Sequence, residues 1–229
     1  MSAGVLKRAL STTVSVLLLA AGPLLAIEEP TGEKAFLSWG EKQAVAIARA
    51  TRESGRVGGF FDTRITGTNR SYNYKLRATW LTPDVIRASA RLAQLELGLT
   101  DEETLALVSE AEALGDTVIL VEIDPREGSG VIPREWVAVL RPRSDDDERS
   151  GEEAPSARGR LRSDGRRMKA LAGGYERDYA YDVFWLSFPL VDTAGEPLFP
   201  TAVDEAELVV RIAGKEGRVS WKIPSSLSR

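Results

Sequence analysis

The residues with the clearest capacity to bind another molecule lie in a short charged loop that follows an apolar stretch of chain. Val118 to Ile123 is almost wholly apolar, and Asp124, Arg126 and Glu127 come directly after it. Pro125 restricts the backbone at one end, and the charged residues present both signs close together, which suits pairing with a partner of complementary charge. The sequence therefore predicts a partner-binding role for Asp124, Arg126 and Glu127. A charged turn with no binding role explains the same residues.

Paired carboxylates are the other chemistry that the sequence offers. Asp124 and Glu127, together with Glu135, can supply the acid and base of a glycosidase, which needs two carboxyl groups flanking the scissile bond. The separation of the two groups decides such an assignment. With 34 acidic residues in the chain, some carboxylates always lie near one another. A carboxylate-dependent hydrolase of envelope polysaccharide is therefore an alternative to the binding role.

The chain contains neither histidine nor cysteine, and this excludes several classes of enzyme. Without histidine there is no Ser-His-Asp triad and no histidine-ligated metal. Without cysteine there is no thiolate nucleophile, disulfide or cysteine-ligated zinc. The acidic run Asp145 to Glu148 lacks the alternating ligands and the turn glycine of an EF-hand. The sequence therefore predicts no catalytic residue, cofactor or metal site.

Two further groups of side chains have binding chemistry, although a structural role accounts for each. The polar face of the stretch Tyr72 to Trp80, with two nearby arginines, can bind an anionic sugar or a carboxylate, and the favoured interpretation is a solvated sheet face. Its residues are Asn73, Lys75, Arg77, Arg64 and Arg70. Tyr175, Tyr179 and Tyr181 can stack on a carbohydrate or a partner, and packing at the rim of the core is favoured.

The net charge of the chain is −4, which argues against a nucleic acid or an anionic lipid surface as a general partner. Residues 1–26 are predicted to be a secretory signal peptide: Lys7 and Arg8 precede the apolar run Val14 to Ala21, and Ala26 follows a Gly-Pro break. We therefore expect an exported protein, periplasmic or extracellular. An uncleaved signal would instead make the chain a membrane-tethered scaffold.

The expected fold is α+β and mainly antiparallel β, a sandwich-like arrangement of about seven strands with an N-terminal helix and an inserted αα-hairpin. Residues 27–143 form the first part of the domain. Ser38 and Glu41 predict a capping box for a helix through the Ala-rich stretch to Glu53, which ends at Ser54-Gly55, and residues 60–66 are the expected hairpin partner of the strand 72–80. Thr82 with Pro83, and Thr100 with Glu103, predict the starts of hairpin helices over 83–97 and 101–114, and residues 135–141 are the strand expected to return after the charged loop. Residues 144–170 are almost devoid of apolar side chains and are predicted to be a disordered linker. Residues 171–229 supply strands that complete the same domain; two domains divided at the linker are the alternative.

Taken together, these patterns predict an exported, non-catalytic, β-rich protein that binds a partner protein or a component of the cell envelope. The prediction depends on the chemistries that the composition excludes and on the common use of β-sandwiches as interaction modules.

Overall fold

The computed structural model describes residues 32, 34–58, 74–125, 132–143, 155–162, 181–192, 195–225 and 227. A short 3₁₀ helix, Ala35–Ser38, precedes three α-helices and nine strands in this part of the chain. The helices are α1 (Glu41–Arg49), α2 (Pro83–Leu97) and α3 (Asp101–Glu112). The strands are β1 (Arg52–Val57), β2 (Tyr74–Leu81), β3 (Thr117–Pro125), β4 (Trp136–Pro142), β5 (Ala157–Arg158), β6 (Arg160–Leu161), β7 (Asp182–Phe188), β8 (Glu205–Ile212) and β9 (Lys215–Lys222).

The strands form two antiparallel sheets, so the predicted α+β, mainly antiparallel fold is confirmed. Sheet A has the order β1-β2-β3-β7-β6, and sheet B has the order β5-β4-β8-β9. The inward-facing side chains of both sheets make one apolar core in a sandwich-like arrangement. Strands from before and after residues 163–180 lie in both sheets.

Aromatic residues fill the centre of the core between the sheets. The Trp80 ring lies 5.7 Å from that of Trp221 and 5.7 Å from that of Phe199. The two indole N–H groups are satisfied: Trp80 Nε1 donates to Thr117 Oγ1 at 2.7 Å and Trp221 Nε1 to the Thr51 carbonyl at 2.7 Å. The first bond ties β2 to β3 within sheet A, and the second joins β9 of sheet B to the residue before β1 of sheet A.

The αα-hairpin covers the outer face of sheet A, and its caps are those that the sequence predicts. Thr82 accepts a hydrogen bond from the Val85 amide at the start of α2, and Thr100 and Glu103 form a capping box at the start of α3. Val85 packs on Leu120 and Trp185 of the sheet. Helix α2 matches its predicted bounds, whereas α3 ends at Glu112, short of the predicted residue 114.

The N-terminal helix is present but shorter than the Ala-rich stretch suggests. Ser38 does not cap it: its hydroxyl donates to the Ala35 carbonyl and closes the 3₁₀ turn, and Gly40 occupies the N-cap position of α1. The helix ends at Arg49, and residues 52–57, expected to be helix and turn, form strand β1. The predicted capping box at Ser38 and Glu41 is therefore wrong.

Two pairings differ from those expected. β2 lies between β1 and β3, so β1 is its antiparallel partner before it in the chain. The expected partner, residues 60–66, lies outside the described residues. β4 does not return beside β3; it pairs with β8 and β5 in sheet B. Periodicity indicates where a strand lies but carries no information about its neighbour.

Part of the predicted disordered linker is ordered. β5 pairs with β4 in sheet B and β6 pairs with β7 in sheet A, so this short segment passes from one sheet to the other. The crossing point is Gly159, where an added Cβ would lie 2.8 Å from the Phe188 ring. For residues 157–161 the prediction of disorder is wrong. Residues 144–154 and 163–170 lie outside the described part of the chain.

No helix among the described residues is long and apolar enough to cross a membrane. The predicted signal peptide lies outside them.

Candidate functional site

The outer face of sheet A changes from apolar to charged along its strands. Under α2 the strand register places Thr79, Leu120 and Trp185 side by side, all buried. Two residues further along β3, the register places Arg77 beside Glu122. Two more residues along comes the pair Lys75 and Asp124. Side chains two residues apart on a strand share one face, so the charged pairs continue the surface that the helices cover.

Glu122 is the centre of the charged part of this face. It is only 5% exposed, although it carries a carboxylate. Its Oε2 lies 3.5 Å from Arg52 Nη2 and its Oε1 lies 3.8 Å from Arg77 Nη1. A buried carboxylate is costly unless cations and hydrogen-bond donors surround it, and here two arginines from neighbouring strands do so. Glu122 is therefore the carboxylate partner that both guanidinium groups share.

Asp124 adds a second ion pair beside the first. Its Oδ2 lies 3.6 Å from Lys75 Nζ, and Lys75 is the more exposed partner, at 42% of its side chain against 15% for Asp124. Asp124 does not lie in the predicted loop, because β3 continues through Asp124 to Pro125. Asp124 is therefore held within sheet A.

Arg77 makes the third contact of the site. Its Cζ lies 4.5 Å from the centre of the Tyr181 ring, which is itself only 8% exposed. A guanidinium over an aromatic ring is stabilised by the ring quadrupole. We call Arg52, Lys75, Arg77, Glu122, Asp124 and Tyr181 the Glu122 cluster.

The cluster brings together residues that the sequence presents as separate candidates. Asp124 comes from the predicted binding loop, Lys75 and Arg77 from the polar strand face, and Tyr181 from the tyrosine group. Arg126 and Glu127, the other predicted loop residues, lie outside the described residues, as do Tyr175 and Tyr179. Glu135 immediately precedes β4 of sheet B, whereas Asp124 lies in β3 of sheet A.

Sequence reasoning missed Arg52 and Glu122. Arg52 lies in the stretch expected to be helical. Glu122 is the one charged residue within the apolar run Val118 to Ile123. A charged residue inside a doubly covered strand needs a partner, and that signal alone marks Glu122 for attention. The identity of its partners depends on strand register, which the sequence does not reveal.

A groove of about 560 Å³ lies at the opposite end of sheet A, between the start of α2, the end of α3 and residues 224–227. Asp84, Glu112 and Asp116 contribute carboxylates to its lining. Arg87 spans two of them, with Nη2 3.1 Å from Glu112 Oε1 and Nη1 3.7 Å from Asp84 Oδ1. Arg87 Nε is buried and has no hydrogen-bond partner within the described part of the chain. The groove is thus an open, acidic surface around one arginine.

Within the ranges that the structure describes, no group of three acidic side chains is arranged to hold a metal ion. The acidic run Asp145 to Glu148 lies outside those ranges.

Comparison of the chain with protein-family models, with curated proteins and with solved structures found no match.

Proposed function

We propose that the chain is an exported, non-catalytic binding module that contacts a partner protein or a cell-envelope component through the Glu122 cluster and the chain that leaves β3 at Pro125. The observation that carries the proposal is the position of Arg77, which is held by Glu122 on one side and by the Tyr181 ring on the other. Arginine and tyrosine are, with tryptophan, the residues enriched at binding hot spots, because they offer large contact areas and directional donors.

The mixed charge of the Glu122 cluster supports recognition of a partner whose own positive and negative groups are arranged in a complementary pattern. Arg52, Lys75 and Arg77 surround two carboxylates, so both signs occur within a few ångströms of each other. A surface of this kind discriminates among partners, because a wrong arrangement of charges places like charges together. Its members lie on β1, β2 and β3 and at the residue directly before β7, all neighbours in one sheet, which reduces the entropy that binding would cost.

The experiment is co-purification of the tagged protein from its native host with variants matched for charge. Replacing Asp124, Arg126 and Glu127 by alanine should remove a protein or glycan that the wild type retains. The matched control replaces Glu41, Lys42 and Glu102 on the exposed helical surface by alanine and should retain it. A bound component that persists in the first variant at wild-type yield would contradict the proposal.

Export is the second part of the proposal, and it is supported by the charged, apolar and small residues of positions 1–26. N-terminal sequencing of the protein from the extracytoplasmic fraction should begin near Ile27. Recovery of intact Met1 in the membrane fraction would favour the tethered scaffold.

The acidic groove is the one observation that favours the alternative, a carboxylate-dependent hydrolase. Its size falls in the range of ligand-binding clefts, and Asp116 and Glu112 line it. Assays on a panel of envelope polysaccharides test this alternative directly. Cleavage by the wild type that disappears in Asp116→Asn and Glu112→Gln, but not in the Asp124 variant, would place a catalytic function in the groove.

A further inference from the structure

The outer face of sheet B, which points away from sheet A, is rich in arginine. Ala138, Leu140, Leu208 and Val210 enter the core, so the alternate residues of the same strands face outward. We call the charged residues of this outward set the arginine face: Arg141, Arg143, Arg158, Arg211, Arg218, Lys222, Glu205, Glu207 and Glu216. Six are cations and three are carboxylates, although the whole chain has a net charge of −4.

The carboxylates of this face form ion pairs with four of its five arginines, Arg141, Arg143, Arg211 and Arg218. Glu207, with a side chain only 8% exposed, accepts from Arg141 Nε at 3.0 Å and Nη2 at 2.7 Å, and Arg218 lies 3.7 Å from the same oxygen. Glu216 accepts from Arg211 and Arg218, each at 2.7 Å. Burial works against the charged form of Glu216, but the hydrogen bonds and charges of these two arginines outweigh it and lower the pKa. The guanidinium groups are therefore preorganised.

The spacing of the pairs matches an extended polypeptide. Arg141 in β4 and Arg143, the residue directly after β4, pair with Glu207 and Glu205, which are two residues apart on β8. The two ion pairs are therefore separated by the two-residue repeat of an extended chain, roughly 6.6–6.8 Å. An acidic segment with carboxylates at alternate positions has the same repeat.

The opposite layer of the molecule carries the opposite charge. Helix α3 contains five acidic residues and no basic residue: Asp101, Glu102, Glu103, Glu110 and Glu112. An acidic partner is therefore repelled from the helical layer and attracted to sheet B, so the charge distribution orients its approach.

We propose that the arginine face binds an extended acidic segment of a partner protein. The three glutamates distinguish this partner from other polyanions. Double-stranded DNA presents about one charge per 1.7 Å and would place phosphates against the three glutamates. Carboxylates spaced along an extended peptide can instead lie between those glutamates. The site is separate from the Glu122 cluster, so it does not depend on the function proposed above.

The test measures binding of the full chain to a labelled synthetic peptide of alternating glutamate and threonine by fluorescence anisotropy. The informative variant is the double reversal Arg158→Glu and Lys222→Glu, since both side chains are exposed and neither belongs to the ion pairs just described. The control reverses Lys34 and Lys42 on the helical layer, with the same change in net charge. Thermal unfolding confirms that both variants fold.

We expect salt-sensitive binding that falls at least about tenfold in the sheet B variant and little in the control. Equal binding by both variants would overturn the proposal. So would failure to bind the peptide together with tight binding to heparin, an oligonucleotide or anionic vesicles. Binding that appears only when Asp145, Asp146 and Asp147 are changed to asparagine would assign the face to the chain's own acidic segment and equally overturn it.

Discussion

Arg77 occupies the space between Glu122 and Tyr181: its Nη1 lies 3.8 Å from Glu122 Oε1, and its Cζ lies 4.5 Å from the centre of the tyrosine ring. The two contacts use different properties of one guanidinium, its charge and its planar face. They link β2, β3 and the start of β7, so the same residue that presents a donor at the surface also joins three strands.

Replacing Glu122 by glutamine should lower the free energy of unfolding by about 2 kcal/mol. The substitution keeps the shape but leaves Arg52 and Arg77 without their shared negative charge, and removing one member of a buried pair is costly. The partial exposure of both arginines moderates the loss. Lys75→Ala, which breaks the more exposed pair, should cost less than about 0.5 kcal/mol. Urea unfolding measures the free energy of unfolding of both variants. Equal losses would show that the ion pairs of Glu122 are no more buried than the pair between Lys75 and Asp124.

Trp185→Ala should lower the free energy of unfolding by about 3–5 kcal/mol, because Trp185 is 4% exposed and packs between sheet A and α2. Leu161→Ala is the control: Leu161 is 68% exposed, so its loss should stay within about 0.5 kcal/mol. Chemical denaturation of the two variants makes the comparison. A small effect at Trp185 would contradict the packing of the hairpin on the sheet.

Gly217→Ala should destabilise the junction between β1 and β9 by about 1–3 kcal/mol. An added Cβ would lie 2.5 Å from the Arg56 carbonyl oxygen and 2.9 Å from its carbonyl carbon, so the backbone must move. Gly40→Ala adds a Cβ with nothing within 4 Å and should cost less than about 1 kcal/mol. Thermal unfolding compares the melting temperatures of the two variants. A larger decrease for Gly40→Ala than for Gly217→Ala would show that β1 and β9 are further apart at this point.

The capping box of α3 should make stability depend on acid pH. Hydrogen bonds to the backbone amide and the hydroxyl of Thr100 hold the pKa of Glu103 below its ordinary value of 4.5. A carboxyl group with a depressed pKa in the folded state stabilises above its unfolded pKa, and the contribution is lost as pH falls through the folded value. The difference in melting temperature between wild type and Glu103→Ala should therefore be largest near neutral pH and shrink below pH 4.5. A difference that is constant with pH would contradict the cap.

Local signals in the sequence were sufficient for the helical hairpin and the covered strands. Thr82, Pro83, Thr100 and Glu103 mark helix starts through their own backbone chemistry, and Val118 to Ile123 reveals burial on both faces by its composition. Strand β1 could not be predicted from the sequence, because Arg52 to Val57 has no alternation of polar and apolar residues. Its strand character comes from pairing with β2 and close contact with β9, which are tertiary effects.

The Glu122 cluster could not be predicted from the sequence for a related reason. Its members come from β1, β2, β3 and the start of β7, and only the register of these strands brings Arg52 and Arg77 to Glu122. A shift of one residue in β2 would turn Lys75 and Arg77 towards the core. The sequence therefore identified three of the contributing segments separately without indicating that they meet.

The most direct test of the proposed binding role is photocrosslinking from the Glu122 cluster in the native host. A photoreactive amino acid replaces Lys75 in one protein and exposed Glu102 on α3 in another. We predict a discrete covalent adduct from position 75, weakened when Arg77 is also changed to alanine, and none of the same mass from position 102. No adduct from position 75, or the same adduct from both positions, would contradict a binding site at the Glu122 cluster.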